Sequence, residues 1–357
     1  MFRSSSSRHH HHHSYRHRRR HTAFFAVGCV LLALCLILGV GTGGFFYLRY
    51  TGERSLRQAA SSDGPVMGDE VNGAIVHNGK KYRYNDKIIN ILCMGIDKTT
   101  EESEEKDGGA GGSGQADAIV LVTLNLADNT MKMTAISRDT ITEIETYDAN
   151  GNPLGKSKNH LALAYAYGDG GKKSGELAVD AVSNLLYQLP IHGYAAIRMD
   201  AVEKLNDSVG GVKVTMTEDM QINGLAYKKG QTVTLSGAQA LSYVRTRDFE
   251  AAGANSQRME RQKGYAVSFI QSAKQALKQD PTLAVQLYQE TTSDMVTSIG
   301  GDEAVYLISL LPQLQFSADD IQTIQGTTRQ GKVYEEFYVD EDALKELILD
   351  TFYVEIG

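Results

Sequence analysis

One stretch of the sequence limits what this chain can be: residues 22–48 run for 27 positions without a charge. About 20 mainly apolar residues span the hydrocarbon core of a bilayer, so this stretch is long enough to cross a membrane with some tilt. A cleaved signal sequence has a shorter apolar region, of about 7–15 residues, followed by a small-residue cleavage site. We therefore predict an uncleaved transmembrane helix, with a cleaved signal as the alternative.

The residues before the predicted span indicate its orientation. Residues 1–21 carry six arginines and no acidic residue. Because positively charged flanks stay on the cytoplasmic side, we predict a basic cytoplasmic tail and an extracytoplasmic body after Arg49, in a single-pass protein of the cell membrane. Setting those six charges aside turns the net charge of −7 into −13 for the remainder. Such an acidic body argues against nucleic-acid binding.

Two features of the composition carry little functional weight. The run His9–His13 is interpreted as a polar tail or an expression tag rather than a metal site. Cys29 and Cys35 lie in the apolar stretch, and Cys93 lies in a predicted buried strand. We expect three inert thiols and no disulfide framework.

Beyond the span, the pattern of apolar runs predicts an α/β fold. Residues 49–86 are interpreted as an extracytoplasmic stem, which contains a short hairpin with its turn at Asn78-Gly79. Apolar runs predict strands at 88–95, 118–126 and 131–137, and the tight turn between the last two makes them antiparallel neighbours. Further strands are expected at 194–199, 211–217, 320–325 and 333–339, and helices at 160–167, 174–188, 200–209, 282–298, 302–312 and 341–352, with one ending near 246 and a long one from about 255 to 278.

This alternation is typical of a mixed central β-sheet flanked by helices on both faces. We expect the main domain at 87–275. Residues 276–357 are predicted to form a C-terminal α/β extension packed on that domain.

Polar residues converge at one edge of the predicted sheet. Asp97 follows the first strand and Asp117 precedes the second, so antiparallel pairing would bring both carboxylates to the same edge. Arg138 follows the third strand and arrives there too. Two carboxylates repel each other, and Mg²⁺, with Mn²⁺ as an alternative, is the natural partner. Taken singly, each aspartate also fits an ordinary turn residue, and Arg138 fits a salt bridge to Asp139.

A second polar group consists of arginines and one glutamine. Arg258, Arg261 and Gln262 have the spacing of one helix face. Arg245 and Arg247 lie at the end of the preceding helix, so a hairpin between the helices would collect four guanidiniums. Arginine forks match phosphate oxygens in a bidentate manner. The alternative is a solvated basic face paired with nearby acidic residues.

Seven segments follow one another along about 87–275: NILCMGIDK (90–98), QADAIVLVTLN (115–125), AISRDT (135–140), KNHLALAYAYG (158–168), EKLNDSVGGVKVTM (203–216), LSGAQALSYVRTR (235–247) and RMERQ (258–262). In sequence and in order they resemble the LytR-CpsA-Psr family of wall-polymer ligases. The resemblance implies a mixed sheet between helices, a groove for a polyprenyl chain, Mg²⁺ and a pyrophosphate held by arginines.

The resemblance also implies residue roles. Asp97 and Asp117 correspond to metal ligands, and Arg138 corresponds to the main pyrophosphate contact. The catalytic residues would be Arg138, Arg245 and Arg247, and further pyrophosphate contacts would come from Lys158, Arg258, Gln262 and, less clearly defined, Arg261. Family members usually have an aspartate where this chain has Asn255, and an amide cannot act as a general base.

The resemblance implies an Mg-dependent phosphotransferase that moves an anionic glycopolymer, such as teichoic acid or capsule, from a polyprenyl-pyrophosphate carrier to peptidoglycan. Two alternatives stay open from the sequence. One is a pyrophosphate hydrolase on the same scaffold, and the other is a non-catalytic, membrane-tethered regulator that binds polyprenyl phosphate or glycan.

Overall fold

The computed structural model describes residues 43–56, 64–67, 74–96, 114–148, 150–198, 201–246, 254–332 and 334–356, with the backbone alone for 254–260. The chain divides into two compact units, residues 1–47 and 48–357. Of the first unit, residues 43–47 are described, and they are helical. No helix in the described part of the chain is long and apolar enough to cross a bilayer. The predicted span at 22–48 lies outside the described residues up to position 42.

The described residues of the second unit form both strands and helices. Residues 48–56 are helical and are called α1. The other helices are α2 (Ala162–Ala166), α3 (Lys172–Leu185), α4 (Ala201–Ser208), α5 (Gly237–Arg245), α6 (Ala254–Gln279), α7 (Leu283–Thr291), α8 (Gly301–Leu310) and α9 (Glu341–Phe352). The strands are β1 (Ile75–His77), β2 (Lys80–Tyr84), β3 (Ile88–Ile96), β4 (Ala116–Asn125), β5 (Thr130–Ile136), β6 (Ile141–Tyr147), β7 (Pro153–His160), β8 (Gly193–Arg198), β9 (Val212–Thr215), β10 (Met220–Ile222), β11 (Leu225–Tyr227), β12 (Thr232–Leu235), β13 (Met295–Thr297), β14 (Ile321–Thr323), β15 (Gly326–Gln330), β16 (Glu335–Val339) and β17 (Tyr353–Glu355).

A six-stranded mixed sheet lies at the centre of this unit, in the order β13-β8-β3-β4-β5-β14. Strands β3, β4 and β5 form an antiparallel meander. Strand β8 runs parallel to β3, and β14 runs parallel to β5. The predicted mixed sheet and the predicted antiparallel pairing of its central strands are confirmed.

Strand β3 is buried on both faces because its side chains alternate between two cores. Leu92, Met94 and Ile96 pack into a core that is completed by α2, α3 and α9. Ile89 and Ile91 point to the other side, into a core completed by α1, α6 and α8. A strand covered by helices on both faces has a nearly continuous apolar sequence. The position of β3 could therefore be predicted from the sequence.

The thiol of Cys93 belongs to the second of these cores, where Val122 and Met133 also lie. Burial raises its pKa to about 11. A thiol with such a pKa stays protonated at neutral pH, which agrees with the expected inert role.

The region interpreted as a stem differs from the expectation. The hairpin at Asn78-Gly79 is present, and both turn residues have the positive φ angles, 51° and 77°, that a two-residue hairpin turn requires. However, β2 also pairs with β17 at the far end of the chain, and Leu56 of α1 is only 1% exposed within the core. The described parts of 49–86 are therefore integral to the second unit.

The C-terminal region, which was predicted to be an extension packed on the main domain, supplies part of the central sheet. Strands β13 and β14 form the two edges of the central sheet. The helix predicted at 282–298 ends at Thr291, and a 3₁₀ turn leads into β13. Strand β13 pairs with β8, which lies about 100 positions earlier in the sequence. A three-residue strand is too short for a local sequence pattern to predict this pairing.

The burial of α9 gives a test of this integration. Phe352 is 0% exposed in the core beneath the sheet, whereas Ile356 of the same terminal segment is 42% exposed. We expect Phe352→Ala to lower the free energy of unfolding by about 3–5 kcal/mol because it leaves a cavity. Ile356→Ala should change it by no more than about 0.5 kcal/mol. Urea denaturation of the full chain in detergent measures both, and equal losses would contradict the integrated C-terminus.

Candidate functional site

The register of the central strands brings Asp117 and Arg138 together. Ile119 of β4 and Ile136 of β5 are directly paired. Asp117 lies two residues before the first and Arg138 two residues after the second, so both reach the same edge of the sheet. Their side chains form an ion pair there. The convergence that strand order predicted for these two residues is present in the structure.

Asp97 lies outside the described residues. The residue before it, Ile96, is paired with Ala116 on one side and with Arg198 on the other. Ala116 directly precedes Asp117, so the last described position of β3 is adjacent to the start of β4. The expectation that Asp97 joins this edge stays a prediction.

The guanidinium of Arg138 lies close to three side-chain oxygens. One terminal nitrogen contacts the Asp117 carboxylate and the other donates to Oε1 of Gln115. Its Nε lies 3.8 Å from Oδ1 of Asp139. The side chain remains 37% exposed, so the group is oriented by the protein and still open to solvent. Such preorganised donors suit a site where negative charge must be bound or stabilised.

The loop that carries Arg138 is tied to the structure by its backbone. The carbonyl of Arg138 accepts from the backbone nitrogen of Ala162 at 3.0 Å, and that of Thr140 accepts from Leu161 at 2.9 Å. The hydroxyl of Thr140 donates to the carbonyl of Ser137 at 2.7 Å. These bonds connect the end of β5 to the start of α2 and restrict the position of the arginine.

Lys158 lies on the β6–β7 hairpin that follows this loop, a hairpin that the sequence analysis missed. It is exposed, and its Cα partner across the hairpin is Glu143. The ion pair of Glu143 is instead with Lys156, at 3.7 Å. The expected phosphate contact of Lys158 stays a prediction.

The second group of predicted residues is only partly described. Arg245 is exposed at the last position of α5. Arg247 and the side chain of Arg258 lie outside the described residues. Gln262 is half-buried, and its Nε2 donates to the carbonyl of Val244 at 3.2 Å. Residue 262 therefore contacts the end of α5, as a helical hairpin requires.

Arg261 differs from the expected exposed phosphate contact. Its side chain is 4% exposed and its donors meet protein acceptors, namely the Glu218 carboxylate and the carbonyls of Tyr243 and Thr246. The shared helix face was predicted from the spacing, but that face packs against the end of α5. Burial also raises the pKa of the neighbouring Tyr243 hydroxyl, so that group stays neutral.

Of the two predicted metal ligands, the structure describes Asp117, whose carboxylate is an oxygen ligand of the kind that a hard divalent cation prefers. Within the described residues no group of three or more potential ligands gathers around one point. Mg²⁺ does not need such a cage, because it commonly binds one or two carboxylates together with waters and substrate phosphates. Arg138 contacts Oδ1 of Asp117, and Oδ2 of the same carboxylate is the atom that could bind a cation.

Comparison with known proteins identifies one family. A family model described as the LytR_cpsA_psr family matches residues 52–350. TagU of Bacillus subtilis, named a polyisoprenyl-teichoic acid–peptidoglycan teichoic acid transferase, is 29% identical over 228 residues, or 63% of this chain and 64% of TagU. A protein of the same name from Halalkalibacterium halodurans is 31% identical over 165 residues, or 46% of this chain and 47% of the relative. The matched region is thus less than two thirds of each relative.

Solved structures share the fold. The crystal structure of TagV from B. subtilis has 26% sequence identity and a TM-score of 0.56, with 73% of this chain and 94% of TagV covered. TagT bound to LIIa-WTA has 23% identity and a TM-score of 0.54, covering 80% of this chain and 93% of TagT. The second similarity concerns the fold alone.

The partial exposure of the Asp117–Arg138 pair predicts that it adds little to stability. Asp117 is 42% exposed, and exposed ion pairs contribute about 0–1 kcal/mol. We therefore expect Asp117→Asn to change the free energy of unfolding by no more than about 1 kcal/mol, measured by urea denaturation. A loss of several kcal/mol would instead make this pair a structural element of the fold.

Proposed function

This chain belongs to the LytR-CpsA-Psr family, and from that premise we propose that it is an extracytoplasmic phosphotransferase. It transfers an anionic glycopolymer from a polyprenyl-pyrophosphate carrier to peptidoglycan and leaves a phosphodiester link. The names of the matched relatives, which are teichoic acid transferases, support a polymer of the teichoic acid class. A capsule polymer would present the same phosphate chemistry.

The observation that carries this proposal is the environment of Arg138. Its guanidinium is partly exposed at the edge of the sheet and is oriented by Gln115, Asp117 and Asp139. Ligands of open α/β sheets bind beyond strand ends, and a fixed guanidinium recognises phosphate oxygens with two parallel hydrogen bonds. A pyrophosphate bound there would contact a guanidinium that the protein already holds in position.

In the proposed reaction an acceptor hydroxyl of peptidoglycan attacks the sugar-side phosphorus. The new oxygen–phosphorus bond forms as the bond to the bridging oxygen breaks, and polyprenyl phosphate leaves with that oxygen. Arg138, Arg245 and Arg247 stabilise negative charge on the transferring and leaving oxygens. Such a transition state is stabilised mainly by positioning and electrostatics, with little covalent help from the protein.

The hydroxyl proton must leave during this reaction. Asn255 cannot accept it. Either Asp248 or Glu250, which the sequence places between α5 and α6, is our proposed substitute for the missing aspartate; the alternative is a reaction in which base catalysis contributes little. Lys158, Arg258 and Gln262 are proposed as further contacts to the phosphates.

Mg²⁺ is the proposed metal, held by Asp97 and Asp117. When bound, it would neutralise charge on the pyrophosphate oxygens. The predicted span at 22–48 would anchor the chain in the cell membrane, with the site on the outer side where the lipid carrier presents its polymer.

Loss of the Arg138 guanidinium tests the function directly. We expect Arg138→Ala to lower the rate of conjugate formation by about 100- to 1,000-fold, the range observed when one preorganised donor to a developing charge is removed. The assay combines full-length protein in detergent, Mg²⁺, a short polyprenyl-pyrophosphate oligosaccharide and a peptidoglycan oligomer. Mass spectrometry detects the phosphodiester-linked product.

A matched control is Arg83→Ala, since Arg83 is an exposed arginine of β2 and pairs across to β17 rather than to the central sheet. It should retain the wild-type rate. Free sugar phosphate without conjugate would indicate a hydrolase, and tight carrier binding without any turnover would indicate a regulator.

Metal removal tests the cofactor proposal. Dialysis against EDTA should abolish conjugate formation, and added Mg²⁺ should restore it. Asp117→Asn should raise the Mg²⁺ concentration needed for half-maximal rate, by about 10-fold or more, because one carboxylate ligand becomes a neutral amide. Asp128→Asn, in the exposed turn between β4 and β5, serves as the control. Full activity in EDTA would refute the metal requirement.

A further inference from the structure

Arg261 lies on the early part of α6, yet its guanidinium faces inward. Its Nε donates to the carbonyl of Tyr243 at 3.3 Å. One terminal nitrogen donates to the carbonyl of Thr246, and the other contacts the Glu218 carboxylate. Because the residue is only 4% exposed, its guanidinium cannot form two parallel hydrogen bonds to a phosphate.

The carbonyl acceptors belong to the end of α5. The last carbonyls of a helix lack partners within it, and the helix dipole favours a positive charge at that end. The neighbouring Gln262 adds a bond to the carbonyl of Val244. Arg245 is the residue between these acceptors, so backbone groups on both of its sides are bonded to the same short segment of α6.

Glu218 supplies the third contact of Arg261. It lies between β9 and β10, and its carboxylate meets the guanidinium in an ion pair whose arginine side chain is almost fully buried. A buried charge that loses its partner is strongly destabilised. Glu218 therefore compensates the buried charge of Arg261, and the pair connects three segments of the chain: the β9–β10 loop, the end of α5 and α6.

We propose that Glu218 and Arg261 form a positioning pair, which fixes the backbone of Arg245 for binding the pyrophosphate. Arg261 thereby acts through Arg245 and does not touch the substrate. The inference rests on the proposed function for its substrate, and it assigns a role to Glu218, a residue outside the predicted site.

The test uses the full-length protein in detergent with Arg261→Lys and Glu218→Gln. Lysine keeps the charge but has one nitrogen in place of three, so it cannot bond to all three acceptors. The matched control is Asp219→Asn. Asp219 is the next residue of the same loop, but it is exposed and pairs with Lys228 at 2.7 Å.

Four quantities are measured for each variant: the dissociation constant of inorganic pyrophosphate with Mg²⁺, the hydrogen exchange of the amides of 240–246, and kcat and KM for the lipid-linked donor. For Arg261→Lys we expect the dissociation constant and KM to rise about 10-fold, and exchange in 240–246 to accelerate, while kcat stays within about threefold. Glu218→Gln should show the same changes to a smaller extent, and Asp219→Asn should match the wild type.

Two results would overturn the positioning pair. One is a large fall in kcat for Arg261→Lys with unchanged exchange in 240–246, which would indicate direct contact with the reacting phosphate. The other is accelerated exchange with unchanged pyrophosphate binding, which would make the pair purely structural. If the wild type forms no conjugate, the transferase proposal fails, whereas exchange and pyrophosphate binding still decide the inference.

Discussion

The pairing of β4 with β5 is the constraint on which the proposed site depends. Because Ile119 faces Ile136, the residues two positions beyond each must meet at one edge, and they are Asp117 and Arg138. If β5 slipped by one residue along β4, the core-facing Ile136 would turn toward the opposite core. Burial on both faces of the sheet therefore holds the two charged side chains together more firmly than their exposed ion pair could.

Arg138 and Arg261 differ in burial, and this difference underlies the different roles that we propose for them. Arg138 is oriented by three neighbours and stays open to solvent, so it can exchange one partner for a phosphate. Arg261 is enclosed, and each contact it makes is to a group that would be costly to leave unpaired. In the proposed function, the same side-chain chemistry would serve ligand binding at the sheet edge and backbone positioning at the end of α5.

Much of this arrangement could be predicted from the sequence, for identifiable reasons. Strands β3, β4 and β5 are apolar runs, a tight turn joins the last two, and α9 was predicted at its observed limits, 341–352. The β6–β7 hairpin was missed because β7 is polar and exposed, without an apolar pattern. Strand β13 and the inward direction of Arg261 depend on contacts with distant segments, and local spacing does not contain that information.

The most direct test of the account is a crystal structure of the full-length protein with a polyprenyl-pyrophosphate oligosaccharide and Mg²⁺. The account predicts the pyrophosphate at the sheet edge, with guanidinium nitrogens of Arg138 about 2.7–2.9 Å from its oxygens and Arg261 still bonded to Glu218. A pyrophosphate bound away from this edge, with Arg138 bonded only to its protein partners, would contradict the central claim.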